Sequence, residues 1–225
     1  MPDFTFAHRA EGFDTHIEQS IRNYGSLHDD VVNMSRYFVE NDTNVYDIGC
    51  STGKTLKAMA EQNNEFAPSA SYVGIEIADG FVNEMRETEA SMENLSLLHE
   101  DIRNFDMVNA SLVTSLFTLQ FMPMSDRQYV IENIYNALRE GGAFIFGEKT
   151  YASDAKTQDI MTFMFYDHKR KYFDEKDIME KEVTLRNMLK PNTWGEIQSM
   201  LYDAGFRTIQ PFWQNFQFVG AVAIK

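Results

Sequence analysis

The chain has a single cysteine, Cys50, among 225 residues. An internal disulfide is therefore excluded, and this cysteine usage fits a reducing compartment. Basic charge is also short: 20 Lys and Arg stand against 34 Asp and Glu, for a formal net charge of -14. A surface of that sign repels phosphate backbones, so no direct nucleic-acid partner is expected. The one basic run, "HKRKYF" at 168–173, sits between Asp167 and "DEKD" and reads as a solvated helix face. No stretch of 18 apolar residues occurs, and the first residues, "MPDFTFAHRAEGFD", lack the apolar core of a signal peptide. These absences predict a cytoplasmic protein with no membrane partner. Internal repeats and low-complexity segments are missing as well.

What is present is an alternation of short apolar runs and helical periods over a length that suits one α/β domain, taken here as 1–225. Residues 1–40 read as an arm carrying Phe4, Phe6 and Phe13, then helices with Ile17, Ile21, Val31, Val32, Tyr37 and Phe38 at three- and four-residue spacings, broken at "NYGS". Strands are predicted at 44–49, 71–77, 95–102, 110–121 and 143–149. Helices are predicted at 53–62, capped by Ser51 or Thr52, at 79–92, and at 126–142, stopped by Gly141 and Gly142. From 151 to about 205 the alternation gives way to a helical insertion rich in Met and aromatics, expected to act as a lid. Its "IMTFMFY" at 160–166 is too apolar for a solvated helix and is expected to pair with a second subunit. Two closely joined strands, 207–215 and 216–225, should form an antiparallel hairpin. The expected fold is α/β: a doubly wound, mostly parallel seven-stranded sheet with a C-terminal antiparallel hairpin and a helical lid insertion.

In such sheets the ligand lies beyond the carboxyl ends of the strands. The loop there is Asp47-Ile48-Gly49-Cys50-Ser51-Thr52-Gly53, too poor in glycine for a phosphate loop and without the third glycine of a dinucleotide turn. Alone it could be a plain tight turn. Glu76 at the end of the second strand can accept both hydroxyls of a ribose. Asp101 and Ile102 at the third can meet an adenine amino group beside an apolar contact, and the fourth delivers Leu116 and Phe117. Helix capping would serve Asp101, but acids at successive strand ends need donors. The set fits a nucleoside with hydroxyls, an amino group and a positive charge, and no phosphates. S-adenosylmethionine fits that description, its sulfonium favoured by the acids.

"SIRNYG", "VYDIGCS", "EDIRNFDMVNASLV", "FTLQFM", "RQYVIENIYNALREGGA", "GEK", "DAK", "DHKR", "AGF" and "FWQNFQFVGAVAIK" together resemble the class I S-adenosylmethionine-dependent methyltransferases, and within them the carboxy-S-adenosylmethionine synthases. The likeness runs from about residue 13 to the end. It implies that Tyr24, Gly49, Cys50, Ser51, Glu76, Asp101 and Ile102 line a cofactor site, to which Asp47, Gly53, Ile77, Leu116 and Phe117 are added from the strand ends. It implies no metal. Those synthases move a carboxyl group from prephenate onto the cofactor's methyl carbon, and an arginine of the insertion, reaching in from the neighbouring subunit of a dimer, holds the new carboxylate.

Three positions depart from that pattern. The arginine falls on Glu182, the fourth-strand asparagine on Leu116, and the asparagine after the second-strand acid on Ile77. A carboxylate at the clamp would repel a carboxylated cofactor, so the leading expectation is transfer of an unmodified methyl group to a small-molecule substrate, leaving S-adenosylhomocysteine. Glu182 could equally be a solvated helix residue. Carboxy-S-adenosylmethionine synthesis with Lys181 or Arg186 as a shifted clamp is the alternative, and a cofactor-binding protein without turnover is the third reading. Tyr24, Tyr166, His168, Arg170 and Glu182 are the candidates to shape the acceptor pocket. His168 could serve as a base near neutral pH, or could simply be a surface histidine.

Overall fold

The structure, a computed structural model, describes residues 12–225. Most of the expected arm, with Phe4 and Phe6, lies outside them. The chain begins with helices α1 (Phe13–Ser20) and α2 (Tyr24–Ser35). It then alternates: β1 (Asn44–Ile48), α3 (Lys54–Asn63), β2 (Ser71–Glu76), α4 (Val82–Glu89), β3 (Leu95–His99), β4 (Ala110–Leu116), α5 (Met124–Ala137) and β5 (Leu138–Tyr151). Helices α6 (Ala155–Lys169) and α7 (Glu175–Met188) follow, then the two-residue β6 (Asn192–Thr193), α8 (Trp194–Ala204), β7 (Thr208–Asn215) and β8 (Phe218–Ile224).

Seven strands run in the order β3-β2-β1-β4-β5-β8-β7, and β6 adds a short rung to β5. The first five are parallel, while β8 is antiparallel to both β5 and β7, as the closely joined terminal strands predict. Side chains alternate across the sheet because the strand period is two. Val45, Leu112 and Ile145 point into a core with α1 to α4 and α6. Tyr46, Val113, Phe144 and Phe146 point into a second core with α5 and α8. The chain reverses direction on either side of β1 and β4, so their carboxyl ends flank the switch point where ligands bind.

Several boundaries differ from the sequence expectation. Helix α5 stops at Ala137, because Leu138 already pairs with Ala110 of β4, and Gly141–Gly142 lie inside β5 instead of ending the helix. Gly141 takes φ 79°, and a Cβ on Gly142 would sit 3.0 Å from the carbonyl oxygens of Arg139 and Ser111. The glycines therefore let β5 fold back and resume its ladder at Ala143. Helix α3 is capped by Gly53 in a left-handed conformation, not by Ser51 or Thr52. Strand β3 ends at His99, so Asp101 instead caps a single 3-10 turn, accepting from the backbone N–H of Arg103. Within 151–205, α8 packs Ile197 and Leu201 against the α5 side of the sheet, started by a Thr193–Glu196 capping box. Helices α6 and α7 are left to cover the carboxyl edge.

Candidate active site

The loop after β1 is held flat. Gly49 has φ 72°, its N–H donates to Ile75 O at 2.7 Å, and a Cβ there would fall 2.2 Å from Thr118 Oγ1. A larger residue at 49 would drive apart the loops after β1 and β4. Glu76 ends β2 inside this layer, 6% exposed. Its Oε2 accepts from Ser51 N at 3.0 Å and its Oε1 from Ala78 N at 2.8 Å. Burial pushes its carboxyl up, against those backbone donors. Each oxygen keeps a further lone pair for hydroxyl donors, which is what a ribose supplies. The residues present therefore fit a nucleoside at this edge.

A cavity of about 340 Å³ opens from Glu76 and runs under α6 and α7. Gly49, Ser51, Glu76, Ile77, Asp101, Ile102, Leu116, Phe117 and Glu182 all line it, so the structure brings together nine of the residues singled out from sequence. Ile102 and Phe117 are buried apolar walls, and Ile77 is an exposed rim. Asp101 differs from expectation in one respect. Its carboxylate is engaged by Arg103, with Nη2 2.6 Å from Oδ2 and the backbone N–H 3.0 Å from Oδ1, which holds it below the usual carboxylate range. Much of its acceptor capacity is used by Arg103, and Ile102 beside it offers an apolar contact for a base.

Seven predicted residues lie outside the lining. Asp47 sits beneath it, 3% exposed, accepting from Thr114 Oγ1 at 2.7 Å, with its carboxyl pushed up to about 7 by burial. Cys50 is buried, its Sγ turned to Gly74 of β2, and Gly53 packs on Leu97 and Thr88 as the start of α3. Tyr24 stands behind Phe117, ring centroids 6.1 Å apart. Tyr166 packs on Phe163 and Phe165. His168 is neither at the surface nor in the cavity. It is buried against Tyr172, with no hydrogen-bond partner for Nε2 among the described residues, and burial depresses its affinity for a proton. Arg170 is exposed and pairs with Asp167 and Glu175.

The far end of the cavity is lined by Glu182 and Lys181, both singled out from sequence, together with Lys149, Lys169, Phe165 and Gln120, which the sequence reading missed. Lys169 Nζ lies 3.5 Å from Glu182 Oε1, with side chains 3% and 13% exposed. The ammoniums of Lys149 and Lys169 stand 5.5 and 4.9 Å from the Phe165 ring centroid. Lys181 is hydrogen-bonded to His16 of α1. Glu182 thus faces its own chain's cavity and its charge is taken up by Lys169. The available signal was Lys149 near the carboxyl end of an apolar strand. Lys169 belongs to the basic run expected to be solvated, yet burial costs it proton affinity. Glu76 ends β2 and Lys149 lies near the end of β5, strands three places apart, roughly 14 Å at ordinary strand spacing.

The methyltransferase domain family matches residues 45–142. The carboxy-S-adenosyl-L-methionine synthase of Staphylococcus epidermidis is 36% identical over 96% of this chain and 93% of its own. That of Shewanella halifaxensis is 31% identical over the whole chain and 94% of its own. Human N-acetylserotonin methyltransferase, solved with S-adenosylmethionine, superposes with a TM-score of 0.58 at 16% identity, covering 88% of this chain and 54% of that one, and supports the fold. An acid-lined nucleoside edge, a parallel sheet ending in an antiparallel hairpin, and full-length likeness to these synthases agree: the chain belongs to the carboxy-S-adenosyl-L-methionine synthase family and is an S-adenosylmethionine-dependent transferase.

Proposed function

We propose that this transferase carries out the reaction named for its relatives, building a carboxylated S-adenosylmethionine from the cofactor and a small carboxylate donor such as prephenate. The observation that carries this reading is the Lys169–Glu182 ion pair. With Glu182 paired to Lys169 at 3.5 Å, the ammonium of Lys149 on the same cavity leaves the lid end suited to an anion. In the reaction the donor's C–C bond to its carboxyl breaks and its electrons expel the donor's hydroxide, which leaves as water with one methyl proton, while the carboxyl carbon bonds to the methyl carbon. Glu76 takes the ribose hydroxyls, the loop after β1 lies along the nucleoside, and α6 and α7 exclude water from the reacting carbon.

Transfer of an unmodified methyl group to a small acceptor is the second reading. It is favoured by Glu182 in the place of the clamp arginine and by Leu116 in the place of asparagine. Mass spectrometry of the nucleosides formed from S-adenosylmethionine and prephenate separates the two. A carboxylated cofactor supports the first reading. S-adenosylhomocysteine formed only with a cell extract supports the second, and neither product supports binding without turnover. We extend the proposal to a homodimer through α6, whose Ile160, Phe163 and Met164 are 47%, 62% and 44% exposed. Sedimentation as a strict monomer at high concentration would reject it. Among the described residues no helix is long and apolar enough to cross a membrane.

A further inference from the structure

We propose that Lys149, at the end of β5, is the carboxylate-recognising residue of this cavity, held over the Phe165 ring in the role that relatives give to an arginine of the insertion. The inference rests on the reading above that the cavity takes a carboxylate.

The position of Lys149 is set by the sheet. It pairs with Phe218 of β8, and its N–H donates to Gln120 Oε1 at 2.8 Å. It stands two residues past Gly147, the last rung that β5 shares with β4, and its side chain lines the lid end of the cavity. Its ammonium lies 5.5 Å from the Phe165 centroid, a distance at which the ring face steadies a cation.

The neighbouring cations are committed. Lys169 pairs with Glu182, and Lys181 is hydrogen-bonded to His16. Among the described residues no carboxylate forms an ion pair with Lys149, although Glu182 lies close enough to favour its charge. An ammonium partly withdrawn from water loses solvation that a cation–π contact only partly returns, so a bound anion is its natural complement. Its placement on the sheet, in the same chain as Glu76, removes the need for a clamp from a second subunit.

The carboxylate could belong to the donor or to the transferred carbon of the cofactor. Binding of S-adenosylhomocysteine, carboxy-S-adenosylmethionine and prephenate would be measured by calorimetry for wild type, Lys149→Met and Lys149→Arg, with melting curves confirming folded protein. Methionine keeps the length and apolar stem, so the fold should hold, and arginine keeps the charge. Lys149→Met should leave S-adenosylhomocysteine within about twofold. It should weaken at least one carboxylate ligand tenfold or more, equivalent to about 1.4 kcal/mol, and Lys149→Arg should restore most of the loss. Loss confined to the carboxylated cofactor places the anion on the transferred carbon, and loss confined to prephenate places it on the donor. Two results overturn the proposal: a wild type that binds neither carboxylate ligand, or a Lys149→Met variant that binds both as wild type does. If binding responds to Lys149 but no carboxylated cofactor forms, the proposed reaction falls and the role of Lys149 stands.

Discussion

The two ends of the cavity are built from different materials. At the nucleoside end the contacts come from backbone, with Gly49 lying against Thr118 and two N–H groups fixing Glu76. At the lid end they come from long side chains on β5, α6 and α7, separated by up to 33 positions between Lys149 and Glu182. Strand register fixes backbone donors before any ligand arrives, so cofactor binding is a property of the scaffold. Four-carbon lysine stems are set by packing and by one another, so on the proposed reading the second substrate would be chosen where the charges are coupled.

The sharpest way to break that contrast is to uncouple the lid end. Lys169→Met would leave Glu182 largely buried without a partner, and removing one member of a buried pair costs about 3–5 kcal/mol. The Lys169→Met/Glu182→Met double substitution should recover most of that loss, since two apolar groups replace two charges. Urea unfolding with an unchanged slope is the measurement. If Lys169→Met costs less than about 1 kcal/mol, the charges are solvated and the lid end is as open as the surface.

Glu76→Ala tests the scaffold end. Charge-assisted hydrogen bonds contribute about 1.5–3 kcal/mol each, so S-adenosylmethionine should bind at least tenfold more weakly in calorimetry. The variant also frees the N–H groups of Ser51 and Ala78, so part of the loss comes from loosening the loop. Glu76→Gln keeps the size and an acceptor oxygen and should lie between. Unchanged affinity would remove Glu76 from the cofactor site.

The same division explains what could be read from sequence. The sheet was legible because parallel strands buried on both faces read as continuous apolar runs, and the strand-end residues followed from their register. The end of α5 was misread because a double glycine signals a helix stop, while here pairing between Leu138 and Ala110 ends the helix first. Helix α8 was assigned to the lid because the helical run from 151 carries no local mark of which sheet face each piece covers. Lys149 and Lys169 were passed over because burial of a lysine is decided by Phe165 and Glu182, which no local spacing brings together. His168 is a candidate base by residue type, and its position against Tyr172 depends on tertiary packing alone.

A pH titration sharpens the scaffold side. Asp47 is buried under the nucleoside loop, and desolvation lifts its carboxyl to about 7 despite the hydrogen bond from Thr114. A carboxyl with its folded value above its unfolded one binds the extra proton in the native state. Its contribution is therefore most favourable below the unfolded value and is lost as pH rises toward 7. The slope from one such group reaches at most about 1.4 kcal/mol per pH unit. Asp47→Asn should flatten the stability curve between about pH 4 and 7 and leave the slope above it alone. Matching wild-type and variant curves would show that Asp47 is ionised at its ordinary value.

The smallest effect is expected at Arg170, three residues beyond Asp167 and one beyond the buried Lys169. Both are basic residues of the same run, and sequence pattern gave no reason to separate them. In the fold the Arg170 side chain is 43% exposed, and it reaches Asp167 at 2.6 Å and Glu175 at 3.0 Å, carboxylates that are 71% and 77% exposed. Water screens all three, and holding long side chains in one geometry costs entropy that offsets the attraction. Arg170→Ala should therefore change unfolding free energy by no more than about 0.5 kcal/mol, with the difference shrinking further in 0.5 M salt. Cofactor and carboxylate affinities should stay at wild-type values, because Arg170 does not line the cavity. A tenfold loss of either affinity would place its guanidinium in the site when ligand is bound, and would extend the coupled lid end out to the helix terminus.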